Sequence, residues 1–166
     1  MVLSDFGSDI LLISSSFCAN SPLDLGGNAS AACSLCAQLL HKIEEQFSGE
    51  ITEYHEFFGE IYEDVDGTID TFAEWLRKFD VQSPYTLQQF MDAQSFGEVL
   101  TNSNSPIVMS RMLYVMNERM INDSKEMFDV ATLLKEQGLA NFLADRLAAH
   151  EKWGWFLRSV IKQTIN

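Results

Sequence analysis

Residues 54–76 read YHEFFGEIYEDVDGTIDTFAEWL, and their periodicity decides the fold. Phe58, Ile61, Tyr62, Val65, Ile69, Phe72, Ala73 and Leu76 recur at steps of three and four, which is the period of an amphipathic helix. A second stripe runs beside this apolar one. At roughly 100° per residue, Asp66 lies about 20° around the helix from His55, Asp70 about 60°, Glu63 about 80° and Glu74 about 100°. Helix surfaces usually mix bases among their acids, because opposite charges four residues apart stabilise and like charges do the reverse. Glu53 to Glu74 contains no Lys or Arg. Such uncompensated acidity calls for either plain solvation or a cation.

The chain has 166 residues, 46% of them hydrophobic, which suits one well-filled core rather than two domains. Its 24 Asp and Glu against 11 Lys and Arg give a formal charge of −13. Phosphate binding relies on clustered bases, so nucleic acid and anionic membrane surfaces are poor partners, whereas cations are concentrated by such a surface. Cys18, Cys33 and Cys36 make an odd count that does not support a disulfide framework. Cys33 and Cys36 have CxxC spacing without a second pair, so they read as small packed thiols of a cytoplasmic protein. The apolar patch Ile10 to Ile13 is too short to span a membrane and has no basic start.

Residues 1–24 are Ser-rich, with Gly7, Asn20 and Pro22, and read as a tail; residues 25–166 read as one domain. Four long helices are predicted there. The first starts at an Asp24 or Asn28 cap and runs through Leu35, Leu39 and Ile43 to about Phe47, where Ser48-Gly49 stops it. The second runs from Thr52 to about Phe79. A long crossing follows, broken by Pro84, with a short helix from Thr86 through Leu87, Phe90 and Met91. The third, Ile107 to about Gln137, is rich in methionine that fills core, with a kink expected at Asn122-Asp123 and an end at Gly138. The fourth spans Leu139 to about Gln163, with His150 expected in an interhelical hydrogen bond and Trp153 and Trp155 in packing or a subunit interface. Short links between helices one and two and between three and four, with a long crossover in the middle, describe an all-α, ferritin-like four-helix bundle.

Inward carboxylates and imidazoles in such a bundle are ligands for iron or manganese, commonly through Glu-x-x-His motifs. No Glu-x-x-His occurs in this chain, which argues against a di-iron site inside the bundle. A shared site remains. His55 near the start of helix two and Asp70 with Glu74 near its end lie about 22 to 29 Å apart along a helix rising 1.5 Å per residue. One chain cannot bring them to one metal, but two chains about a twofold axis can.

The run HEFFGEIYEDVDGTIDTFAE resembles the signature helix of the Dps proteins (DNA protection during starvation), miniferritins that form hollow shells of twelve subunits. TLQQFMDAQ resembles their crossover helix and RLAAHEKWGWFLRSVI their last helix, so the resemblance covers about residues 30–164. The His-x-x-x-Gly-Glu pattern at His55 is also similar to a phage-encoded branch of the same superfamily. The resemblance implies a ferroxidase and iron store: His55 of one subunit with Asp70 and Glu74 of its mate would hold non-haem iron as Fe(II) and Fe(III). His41 and Glu44 are further candidates, because Ile43 stands where the family has a histidine. Gly59 stands where the family has an aspartate ligand, so a shell protein with a degraded site is the second reading, and a monomeric helical adaptor the third. The family's Lys-rich DNA-binding tail has no counterpart, since residues 1–40 contain no Lys or Arg. Twelve copies would carry roughly −156 before counterions, which disfavours DNA.

Overall fold

The computed structural model describes residues 51–86, 88, 89, 92 and 105–163. The tail and the first predicted helix, with His41, Ile43 and Glu44, lie outside these residues. Among the described residues there are three long helices and no strand: α1 (Ile51–Lys78), α2 (Pro106–Leu133) and α3 (Gln137–Gln163).

The apolar stripe of α1 is the one read from the sequence. Phe58, Ile61, Val65, Phe72 and Leu76 are buried, and Tyr62 and Ile69 pack on them partly exposed. Thr68 lies on the same stripe and satisfies its hydroxyl locally, donating to Val65 O at 2.7 Å. On α2, Met109, Met116, Met120 and Met127 are buried with Leu113 and Ala131. Unbranched thioethers fill the irregular space between helices, as expected of them. Leu139, Leu143, Trp153 and Leu157 complete the core from α3.

Pairwise contacts define the topology. Phe57 of α1 meets Phe156 and Trp153 of α3, Asp64 meets Arg146, and Phe72 meets Phe142. Rising numbers on α1 pair with falling numbers on α3, so the two are antiparallel. Between α2 and α3, Glu118 meets Arg158 and Lys125 meets Glu151, again antiparallel. Helices α1 and α2 therefore run parallel, and a chain can join parallel neighbours only by a long crossover. Residues 79–105 are that crossover. Within it Thr86 accepts from Gln89 N at 3.2 Å while Gln89 accepts from Thr86 N at 3.1 Å, a reciprocal capping box that opens the short helix where expected.

Helix α2 is assigned without interruption through Asn122-Asp123, where Asp123 is held by Arg119 one turn back at 3.0 Å. One expectation needs correction: Gly138 does not end this helix. The helix closes at Leu133, where Glu136 N bonds to Ala131 O and Lys135 N to Thr132 O. This is the paired closure of a Schellman motif, and Lys135 takes the left-handed position at φ 62°. Gly138 instead lies in the first turn of α3, where a Cβ would meet the Trp75 ring at 3.0 Å. The glycine serves helix approach, and a lysine carries the turn. Helix α1 ends in the same way, with Asp80 at φ 60° and Val81 N bonded to Leu76 O at 2.9 Å.

A left-handed lysine is costly because its Cβ crowds the following carbonyl. Lys135→Gly is expected to stabilise the fold by about 1 kcal/mol, read as a higher urea midpoint, while Gly138→Ala lowers it.

Candidate functional site

Helix α1 presents its candidate ligands along one edge. His55 is half-buried near the start; Asp66, Asp70 and Glu74 are exposed further along. Because α1 is unbroken from Ile51 to Lys78, His55 and Asp70 stay about 22 Å apart in one chain. The structure does bring Asp70 together with Asp66, one turn before it. Both line a groove of about 280 Å³ that is floored by Phe72 and Leu76 and closed by Ser83 and Pro84 of the segment after α1. Glu74 is not part of that groove. Its carboxylate lies 3.9 Å from Lys78, and both side chains are more than half exposed, so solvent screens the pair and leaves Glu74 easily released.

Gly59 follows His55 by one turn, and a Cβ built there meets no atom within 4 Å. The position is open space beside the histidine. Among the described residues no three His, Cys, Asp or Glu side chains gather closely enough to hold a metal.

The opposite edge of α1 carries a different chemistry. Asp64 lies about 180° around the helix from His55 and faces α3. Arg146 grips it with both ends of its fork: Nη1 donates to Oδ1 at 3.1 Å and Nη2 to Oδ2 at 2.6 Å. Trp153 Nε1 donates to Oδ2 as well, at 3.0 Å. Beyond the guanidinium, Nη2 lies 3.5 Å from His150 Nε2, and His150 Nδ1 lies 2.9 Å from Asn117 Oδ1. The Asn117 amide donates from Nδ2 to His150 O at 2.8 Å, so its Oδ1 is the acceptor. That assigns the imidazole proton to Nδ1 and leaves Nε2 as a lone pair toward Arg146. One directed chain of donors thus ties α2 to α3 and α3 to α1. Gly154 makes the Asn117 approach possible, since a Cβ there would lie 3.1 Å from Nδ2.

Electrostatics follow from this arrangement. Burial pushes the His150 imidazole down from 6.5 to about 4, helped by the neighbouring Arg146 charge and opposed by Asp64. Burial alone would raise the Asp64 carboxyl. Hydrogen bonds from Arg146 and Trp153, with the guanidinium charge, outweigh it and leave the carboxyl below its ordinary value.

Sequence reasoning placed His150 in an interhelical hydrogen bond, which the Asn117 contact bears out, but missed Asp64, Asn117 and Arg146. A signal existed. Arg146, His150, Trp153 and Leu157 follow one another at steps of four, three and four, which puts a guanidinium on the buried stripe of α3.

Both shifted groups bind protons more readily when unfolded, so folding stability is fully present above about pH 6.5 and is lost as pH falls toward 4 and below. The His150 share is about 3 kcal/mol as an upper bound. Urea midpoints measured from pH 7 to pH 4 are expected to fall steeply for the native chain and less steeply for His150→Gln. Equal slopes would remove His150 from the account.

A family model, the ferritin-like domain, matches residues 38–165. No curated protein sequence matches the chain. Among solved structures, the Dps protein of Vibrio cholerae O1, described as a member of a broad superfamily of ferritin-like diiron-carboxylate proteins, superposes with a TM-score of 0.70 at 18% identity. That match covers 84% of this chain and 87% of the other. Dps from Thermosynechococcus elongatus gives 0.71 at 18% identity, over 88% and 93%. A Dps protein from Bacillus brevis gives 0.68 at 24% identity, over 84% and 95%. At these identities the likeness establishes the fold, which is the helical bundle that the parallel α1 and α2 demand. The chain belongs to the ferritin-like domain family, and its bundle is that of the Dps miniferritins.

Proposed function

We propose that this protein oxidises and stores iron, with each oxidation site shared between two subunits related by a twofold axis. The observation that carries the reading is the division of α1 into two edges. Asp64 commits one edge to α3, and the edge bearing His55, Asp66 and Asp70 turns the other way. An antiparallel mate laid along that edge sets His55 of one copy against Asp70 and Glu74 of the other, and makes two equivalent sites. The first predicted helix, with His41 and Glu44, supplies the remaining ligand candidates. Iron is the substrate here. Imidazole nitrogen and carboxylate oxygens suit Fe(II), and Fe(III), being the harder ion, is favoured by the carboxylates. Each Fe(II) gives up one electron, and two electrons with two protons reduce one peroxide to two waters. Carboxylates exposed on α1 offer places for ferric product to collect, in a cytoplasmic shell of symmetry-related copies that is too acidic to bind DNA directly.

The second reading is a shell that binds iron weakly and does not oxidise it. Gly59 favours it, because the open space beside His55 lacks the carboxylate that a fuller ligand set would place there.

Anaerobic Fe(II) followed by peroxide separates the two. The first reading expects ferric absorbance to rise faster than in buffer alone, and a rate equal to buffer removes it. Gly59→Asp places a carboxylate one turn from His55, at a position where a Cβ meets no atom within 4 Å, and is expected to tighten Fe(II) binding at least tenfold. Gly59→Ala is expected to add about 0.5–1 kcal/mol of stability and leave iron binding alone, which separates a ligand effect from a helix effect.

A further inference from the structure

The contacts between α1 and α3 are of two kinds. At one end Phe57 meets Trp153 and Phe156 with centroids 6.3 and 6.1 Å apart, and at the other Phe72 meets Phe142 at 5.1 Å. Such ring pairs form in either offset-stacked or edge-to-face arrangements over a centroid range of about 4.5–7 Å, so they fix register less tightly than a two-pronged bond. Between them lies a contact with a directional requirement, the two-pronged bond from Arg146 to Asp64, reinforced by Trp153 Nε1. The Arg146 side chain is 9% exposed, so a turn or slide of α1 that broke this bond would leave a guanidinium in the interior without its carboxylate. Buried polar pairs of this kind contribute little net stability but penalise wrong registers heavily. Asp64 also sits between the two half-sites in sequence, nine residues after His55 and six before Asp70, on the far edge of the same rigid helix.

We propose that Asp64 and Arg146 are positioning residues: their bond sets the rotation and axial register of α1 on α3, and so holds His55 and Asp70 where a twofold mate meets them. This rests on the shared-site reading of the preceding section. Neither residue touches the metal. A misplaced ligand edge weakens metal capture at both half-sites together, because one helix carries both.

The test separates register from stability. Asp64→Asn with Arg146→Met removes both charges while keeping an acceptor for Trp153, so no unpaired ion remains buried. Arg146→Lys keeps the charge but cannot span both carboxylate oxygens. Phe142→Leu weakens the aromatic contact of the same interface and leaves the bond intact. For each assembled protein, Co(II) affinity is read from its visible absorption, alongside the melting temperature and the KM for Fe(II). The expected result is a tenfold or greater loss of Co(II) affinity and a matching rise in KM for both Arg146 variants, at melting temperatures near the native one. Phe142→Leu melts lower with its affinity within twofold. Affinity that tracks melting temperature across the set overturns the inference, as does failure of both Arg146 variants to assemble while Phe142→Leu assembles. Absence of Co(II) binding by the native shell is a different result, and counts against the shared site itself.

Discussion

The bond between Arg146 and Asp64 is the constraint on which the rest of the arrangement depends. It joins the last described helix to the one that carries every described ligand candidate. The guanidinium is nearly buried, while the carboxylate keeps 29% of its side-chain surface. The pair is therefore best understood as a specifier of geometry rather than a large source of stability. Stability comes from the apolar stripe, with Phe58, Val65, Phe72 and Leu76 against the methionines of α2 and the leucines of α3. The stripe brings the helices together, and the ion pair selects one way for them to meet.

That division explains why the interior and the outer edge of α1 have different tasks. Inside the bundle, where metal ligands gather in di-iron carboxylate folds, Arg146 lies between the Asp64 carboxylate and the lone pair of His150. On the outer edge, Glu74 lies 3.9 Å from the exposed Lys78, a pair that solvent screens. With a net charge of −13, an edge of this kind favours cations over phosphates.

Much of this was legible in the sequence. Helix periodicity located α1, α2 and α3 to within a few residues, because a buried stripe needs apolar side chains at steps of three and four. Link lengths implied a long crossover between the two central helices, and the antiparallel contacts of both with α3 agree. What escaped was set by contacts distant in sequence. Nothing local shows that Arg146 faces Asp64, that Asn117 clasps His150, or that a lysine rather than the nearby glycine takes the left-handed turn. The candidate site was legible as an edge of residues on one helix. Its completion was not, because the closing groups come from outside that helix.

The shared site is tested most directly by mixing two defective chains. His55→Ala lacks one half-site, and Asp70→Ala with Glu74→Ala lacks the other, so shells of either alone are expected to lose fast peroxide-driven Fe(II) oxidation. Assembled together at random, about half of the dimers pair unlike chains, and each of those regains one intact site of two, for about a quarter of native activity. Recovery to that level is the expected result. Mixed shells no more active than either parent would contradict a site built from two subunits.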